Sequence, residues 1–255
     1  MSEQDLHTVE ESFELPSGGL IYERPIDPHI KLRSMTAQDE MLRLAPSEDT
    51  YRVLCDLIDR CILGDKPAIS TYDMCLGDYT YLLHALRIVT YGVSYPLSTT
   101  CIFCGEPFST VAKLDQLTVR TWKDEIKELS TVVLPSNGHT VELAYQTPRM
   151  LDDIKRRVKQ IKRQAPDTVE DAEEMIQKIV FAVKTINGKK VNPVEFEAKV
   201  RHMKMADVNT LLQTIDLMSE SLGPVKLFTC ECPSCHNTTV SLFRYSSEFF
   251  RPSIR

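Results

Sequence analysis

Apolar residues in this chain keep two rhythms, and glycine or proline marks most changes between them. Phe13-Glu14-Leu15 and Leu20-Ile21-Tyr22 flank Pro16-Ser17-Gly18-Gly19, which predicts a hairpin or sharp corner between two short arms. Ile30-Lys31-Leu32-Arg33 alternates, as a strand with one buried face does. Thr36 with Asp39 three residues on has the form of a capping box, so a helix is expected from Thr36 to just before Pro46. Ser47 is placed as the cap of a second helix, with Glu48 and Asp49 in its first turn. Its stripe is Val53, Leu54, Leu57, Ile58, Cys61 and Ile62, and Gly64 stops it. Asp78 is expected to cap a third helix, carrying Leu82, Leu83, Leu86, Ile88 and Val89 as far as Gly92.

The rhythm changes at residue 93. Residues 93–118 read as strand, cysteine turn, strand, and 131–145 as a hairpin around Pro135-Ser136-Asn137-Gly138. Thr147-Pro148 opens a helix running to about Gln164. Others are expected over 168–186, from Pro193, and over 207–222 before Gly223-Pro224. Strand chemistry returns at Val225–Phe228 and Thr238–Phe243, on either side of a second cysteine turn. The fold class is therefore α+β: a zinc-ribbon-like β core with N-terminal helices and a large, mainly helical insertion between the cysteine pairs. The expected divisions are an arm over 1–35, helices over 36–92 and a core of 93–118 with 224–245. The inserted hairpin and helical lobe fill 119–223, and a tail follows over 246–255.

The sharpest chemical signal is Cys101-x-x-Cys104 with Cys232-x-x-Cys235. A two-residue spacer in a tight turn lets both sulfurs face one ion, and two such turns supply the four ligands of a tetrahedral structural zinc. Residues 105–231 lie between the pairs, a gap far longer than the usual ribbon spacing. A site closed by four cysteines keeps no position for a reacting water, so it is structural rather than catalytic. A redox pair would open a helix in a βαβ unit, and neither pair does. Cys230 and His236 border the second pair and are possible substitutes for a named ligand; Cys230 reads better as a strand residue facing the ribbon core. Cys55, Cys61 and Cys75 read as buried small apolar residues, His84 as packed and His139 as exposed.

Composition removes other classes. The 255 residues carry a formal net charge of -6 and only 9 glycines, which opposes both bare nucleic-acid binding and glycine-rich phosphate loops. No hydrolase elbow, P-loop, dinucleotide fingerprint or zincin motif is present, so neither catalytic residues nor a small-molecule substrate are expected. No apolar run approaches the roughly 18 residues of a membrane span. The acidic, polar start lacks the basic head and apolar core of a secretory signal, which points to a cytosol that keeps the eight cysteines reduced. Lys155, Arg156, Arg157, Lys159, Lys162 and Arg163 form one basic stretch around a stripe of Ile154, Val158 and Ile161. Its plain explanation is a solvated helix facing the acidic Glu170, Asp171, Glu173 and Glu174. The alternative is a nucleic-acid-binding zinc-ribbon regulator.

Several segments in order resemble one family. They are Leu15-Pro-Ser-Gly-Gly-Leu-Ile-Tyr22, Ile30-Lys-Leu-Arg-Ser-Met-Thr-Ala-Gln-Asp-Glu40, Gly77-Asp78 leading to Leu86-Arg87-Ile88 and Tyr91-Gly92, and the Cys101/Cys104 turn. This succession resembles the baseplate hub or hub-assembly proteins of T-even-type contractile-tailed bacteriophages. The likeness spans about residues 13–110 and resumes at the second cysteine turn; 119–223 has no matching motif. It implies a non-enzymatic part in building the tail baseplate, with other baseplate and tail proteins as partners. It also implies a place in the host cytoplasm during assembly, with the tail baseplate of the virion as a further location. It supplies no catalytic residues.

Overall fold

The computed structural model describes residues 9–44, 47–243 and 247–250. Among them the chain is a mixed α+β protein with small antiparallel sheets. Residues 1–8 of the expected arm, Ala45–Pro46 before the second helix, and 244–246 and 251–255 at the C-terminus lie outside the described residues.

β1 (Glu10–Glu14) pairs antiparallel with β2 (His29–Arg33), not with Leu20–Tyr22. Pro16–Gly19 does turn, with Gly18 and Gly19 at φ 59° and 71°, but the loop it starts runs on to residue 28. α1 (Ala37–Leu44) starts with the expected reciprocal cap: Thr36 N–H donates to Asp39 at 2.9 Å, and Asp39 N–H donates to the Thr36 hydroxyl at 3.4 Å. α2 (Thr50–Cys61) begins later than Ser47, with Asp49 at its N-cap, because Ser47 and Asp49 bond each other in a local turn. Before Gly64 the chain has already become β3 (Ile62–Leu63), which pairs with β2. α3 (Leu76–Tyr91) is capped by the Cys75 sulfur, which accepts from Asp78 N–H at 3.4 Å. Asp78 instead turns its carboxylate to Ser17 and Tyr22, accepting from Ser17 N–H at 2.9 Å and Tyr22 O–H at 2.5 Å.

β4 (Ser94–Thr100) and β5 (Pro107–Lys113) form the first cysteine hairpin. β6 (Val119–Arg120) and α4 (Asp124–Glu128) lead to β7 (Thr131–Val133) and β8 (Thr140–Leu143). α5 (Pro148–Gln164) is capped by the Thr147 hydroxyl. α6 (Glu170–Ala182) ends four residues before Ile186, and Val183–Ile186 is β9. Asn187 and Gly188, both at positive φ, turn β9 into β10 (Lys189–Lys190). The apolar run Ile179–Val183 has no break between its helical and extended parts, so periodicity merges them. Sheet pairing to β8 decides the boundary. α7 (Pro193–Arg201), α8 (Met205–Glu220) and β11 (Gly223–Pro224), paired with β6, return the chain to β12 (Leu227–Glu231) and β13 (Thr238–Leu242), the second cysteine hairpin.

Two apolar cores result. The first joins β2, α2, α3 and the base of the first cysteine hairpin through residues such as Leu32, Leu57, Leu82, Leu86 and Ala112. Phe249 and Phe250, placed in the tail by sequence, are fully buried here. Fully buried Arg87 donates to the Phe249 carbonyl at 3.0 Å, which ties this segment to α3. The second core lies among β8, β9, α6, α7 and α8, around Val141, Ile179, Phe196, Leu211 and Ile215. Where α3 meets β11, a Cβ on Gly77 would come within 2.7 Å of the Leu222 Cβ. Beyond it, Phe228 of β12 packs against the first core.

Candidate metal centre

The cysteine turns are built alike. In the first, Gly105 N–H donates to the Cys101 carbonyl at 2.9 Å and Cys101 N–H to the Glu106 carbonyl at 2.9 Å. In the second, His236 N–H donates to the Cys232 carbonyl at 2.9 Å and Cys232 N–H to the Asn237 carbonyl at 3.0 Å. Both turns need a left-handed residue after the second cysteine. Gly105 takes φ 76° freely; His236 takes φ 57° at a conformational cost that glycine avoids. The His236 ring leaves the turn and meets the Glu231 carboxylate at 3.0 Å, so it does not join the sulfurs. Cys230 is buried in β12 opposite Thr239, outside the cluster; burial first, then the neighbouring Cys101 and Cys232, push its thiol up.

The sulfurs of Cys101, Cys104, Cys232 and Cys235 all lie within 4.8 Å of one another. Cys101 Sγ and Cys235 Sγ are 3.6 Å apart, and Cys104 Sγ and Cys232 Sγ 3.7 Å. These are too far for disulfides, whose sulfurs sit at about 2.05 Å. Four sulfurs about 2.3 Å from one centre would stand about 3.8 Å from each other, so the cluster has the size of a tetrahedral four-thiolate shell. It could hold a metal ion.

N–H donors are aimed at two of the sulfurs. Phe103 N–H donates to Cys101 Sγ at 3.4 Å, and the Asn237 side-chain amide to Cys235 Sγ at 3.4 Å. The Asn237 backbone N–H and side chain hold the Cys235 thiol down at about 6. Cys104 feels the Glu106 N–H pulling its thiol down, but burial and bonds with Cys101, Cys235 and Cys232 push it up to about 12. Cys101 and Cys232 are buried, Cys235 half-buried and Cys104 exposed. The Thr239 hydroxyl accepts Ile102 N–H at 3.4 Å, a tie between the two turns besides the sulfurs. Sequence reasoning missed Thr239 and Asn237; the Asn two places after Cys235 was the legible signal, since asparagine at that spacing bonds locally.

The basic stretch on α5 is largely engaged within the chain. Arg156 pairs with Asp153 and lies 3.5 Å from Asp49, Arg157 reaches Glu197 on α7 at 3.0 Å, and Lys155 stands over the Tyr51 ring. Among the described residues, Lys162 alone makes the expected kind of link to α6, 3.6 Å from Glu170. Buried Glu173 accepts from Gln177 at 2.8 Å and from Arg201 at 2.6 Å instead. His84 is buried with Nε2 2.8 Å from the Leu114 carbonyl, and His139 is exposed.

Among the described residues, no helix is long and apolar enough to cross a membrane. Neither the curated proteins nor the solved structures contain a match to the chain. A family model described as "T4 bacteriophage base plate protein" matches residues 8–251, a span that takes in both cores, both cysteine turns and the segment 119–223 that no short motif had covered. The chain therefore belongs to the T4 bacteriophage base plate protein family.

Proposed function

We propose that this chain is a non-catalytic structural or assembly protein of the hub of a contractile phage tail baseplate, stiffened by one structural zinc ion. The observation that carries the role is the family match over residues 8–251. Its partners on this reading are other baseplate and tail proteins, met in the host cytoplasm during assembly or in the virion tail.

Cys101, Cys104, Cys232 and Cys235 would hold the zinc, whose contribution is to bind the two hairpins to each other. The support is the size of the sulfur cluster and the N–H donors aimed at it. A four-sulfur shell leaves no open position for substrate. A ligand set that exists only in the folded chain makes metal affinity part of the folding free energy. The two turns lie far apart in sequence, so the ion would close the loop that contains the whole 119–223 segment. No observation favours nucleic-acid binding, since the carboxylates around α5 take up several of its cations.

The test is co-expression with the hub and wedge proteins of the same phage, followed by size-exclusion chromatography. A stable complex with hub components is expected. A chain that stays alone in the presence of all of them overturns the hub reading.

A further inference from the structure

A cleft of about 630 Å³ opens between the Leu20–Glu23 loop, the α4 segment, β8 and the start of α5. That volume is in the range of pockets that enclose a ligand or a few side chains of a peptide. Its apolar wall includes Ile21, Tyr22, Trp122, Leu143, Tyr145 and Met150. The wall is fixed from behind. Trp122 N–H donates to the Pro16 carbonyl at 2.7 Å, and Tyr22 O–H is held on buried Asp78. Cys75, Ile126 and Leu222 pack beneath it as a small apolar cluster.

The charges around the cleft are unbalanced. Of its acids, Asp73 is taken by Arg149 at 2.5 Å, and Glu142 by Lys184 at 3.5 Å and the Thr185 hydroxyl at 3.2 Å. Glu23 and Asp124 are exposed and make no ion pair among the described residues; Lys127 offsets one of them, which leaves the rim acidic. An apolar wall pinned in place, beside a rim whose acids outnumber its cations, is complementary to one kind of segment. We infer that this cleft receives an extended stretch of a partner protein that presents a bulky apolar side chain next to a lysine or arginine. The apolar side chain stacks on Trp122 and Tyr145, and the cation meets Glu23 and Asp124. The cleft lies apart from the cysteine turns, so this inference does not depend on the metal.

The experiment is to pan a display library of random decapeptides against the whole chain. The enriched sequences should share Leu, Met, Phe or Trp within two residues of Lys or Arg. A synthetic peptide of that sequence should shift the emission of Trp122, the chain's single tryptophan, saturably. It should bind a Glu23→Lys/Asp124→Lys variant at least tenfold more weakly, with both proteins melting alike. No enrichment, enrichment of acidic sequences, or equal binding to the charge-reversed variant overturns the proposal. Dimerisation of the chain that the same double variant abolishes would assign the cleft to a second copy, and overturns it too.

Discussion

The cysteine hairpins and the second apolar core differ in how much apolar surface they bury. The lobe buries Val141, Ile179, Phe196, Leu211 and Ile215 against one another and needs no cross-link. The hairpins are two-stranded sheets, a form that is marginal alone in water. At their base they borrow the first core: Tyr95 packs on Phe243 and Phe249 with ring centroids 5.5 and 5.3 Å apart. Toward the turns that packing runs out. Inward positions become Cys230, Thr239 and the sulfurs, while Ile102 and Phe103 are 70% and 62% exposed. On the proposed zinc reading, coordination supplies the stability where apolar area is missing, and the two regions should therefore fail in different ways.

The largest expected effect is at the sulfurs. Cys101→Ser or Cys232→Ser should cost on the order of several kcal/mol, read as a lower thermal midpoint together with loss of bound metal. Excess chelator should reproduce that shift in the parent chain and add little to the variants. Unchanged melting in both variants would mean that packing alone holds the hairpins. Next, Leu211→Ala in the lobe should cost about 2–5 kcal/mol by leaving a cavity, with the metal content unchanged. Loss of metal in Leu211→Ala would erase the distinction between the two regions.

Acid should sharpen it further, through the first core. Burial raises the Asp39 carboxyl, but bonds from Arg33 and Thr36 outweigh this and hold it at about 2, below its ordinary value. A depressed carboxyl stabilises the fold above its unfolded pKa, and that contribution is lost as pH falls from about 4 toward 2. Asp78 has the opposite sign: burial pushes it up against the bonds from Ser17 and Tyr22, so its contribution is present at low pH and lost as pH rises through its folded value. Asp39→Asn should flatten acid unfolding between pH 4 and 2, and a titration no different from the parent would show that another group dominates there. Smallest of all, Arg156→Ala should change stability by about 1 kcal/mol or less, because the Arg156 side chain is itself exposed to solvent in both of its ion pairs.

What was legible in the sequence follows the same divide. The two cysteine turns, the Thr36–Asp39 box and the Thr147-Pro148 helix start are local patterns, and local backbone bonding fixes them. Contacts between distant segments were not legible. Pairing of β1 with β2 across a long loop, the switch from α6 to β9 within one apolar run, and burial of Phe249 and Phe250 are settled by partners far away in the chain. Asp78 shows why: Asp near a helix start reads as a cap, yet Ser17 and Tyr22, remote in sequence, claim its carboxylate while a cysteine does the capping. For the sulfur cluster, residue types and spacing were enough to nominate the four cysteines, whereas the tie from Thr239 came only from the geometry.

X-ray absorption at the zinc edge of the purified full chain, with elemental analysis of the same sample, tests the central claim most directly. One zinc per chain with four sulfurs at about 2.3 Å is the predicted result. A chain that binds no metal when purified with zinc present, or a shell containing oxygen or nitrogen in place of sulfur, would contradict it.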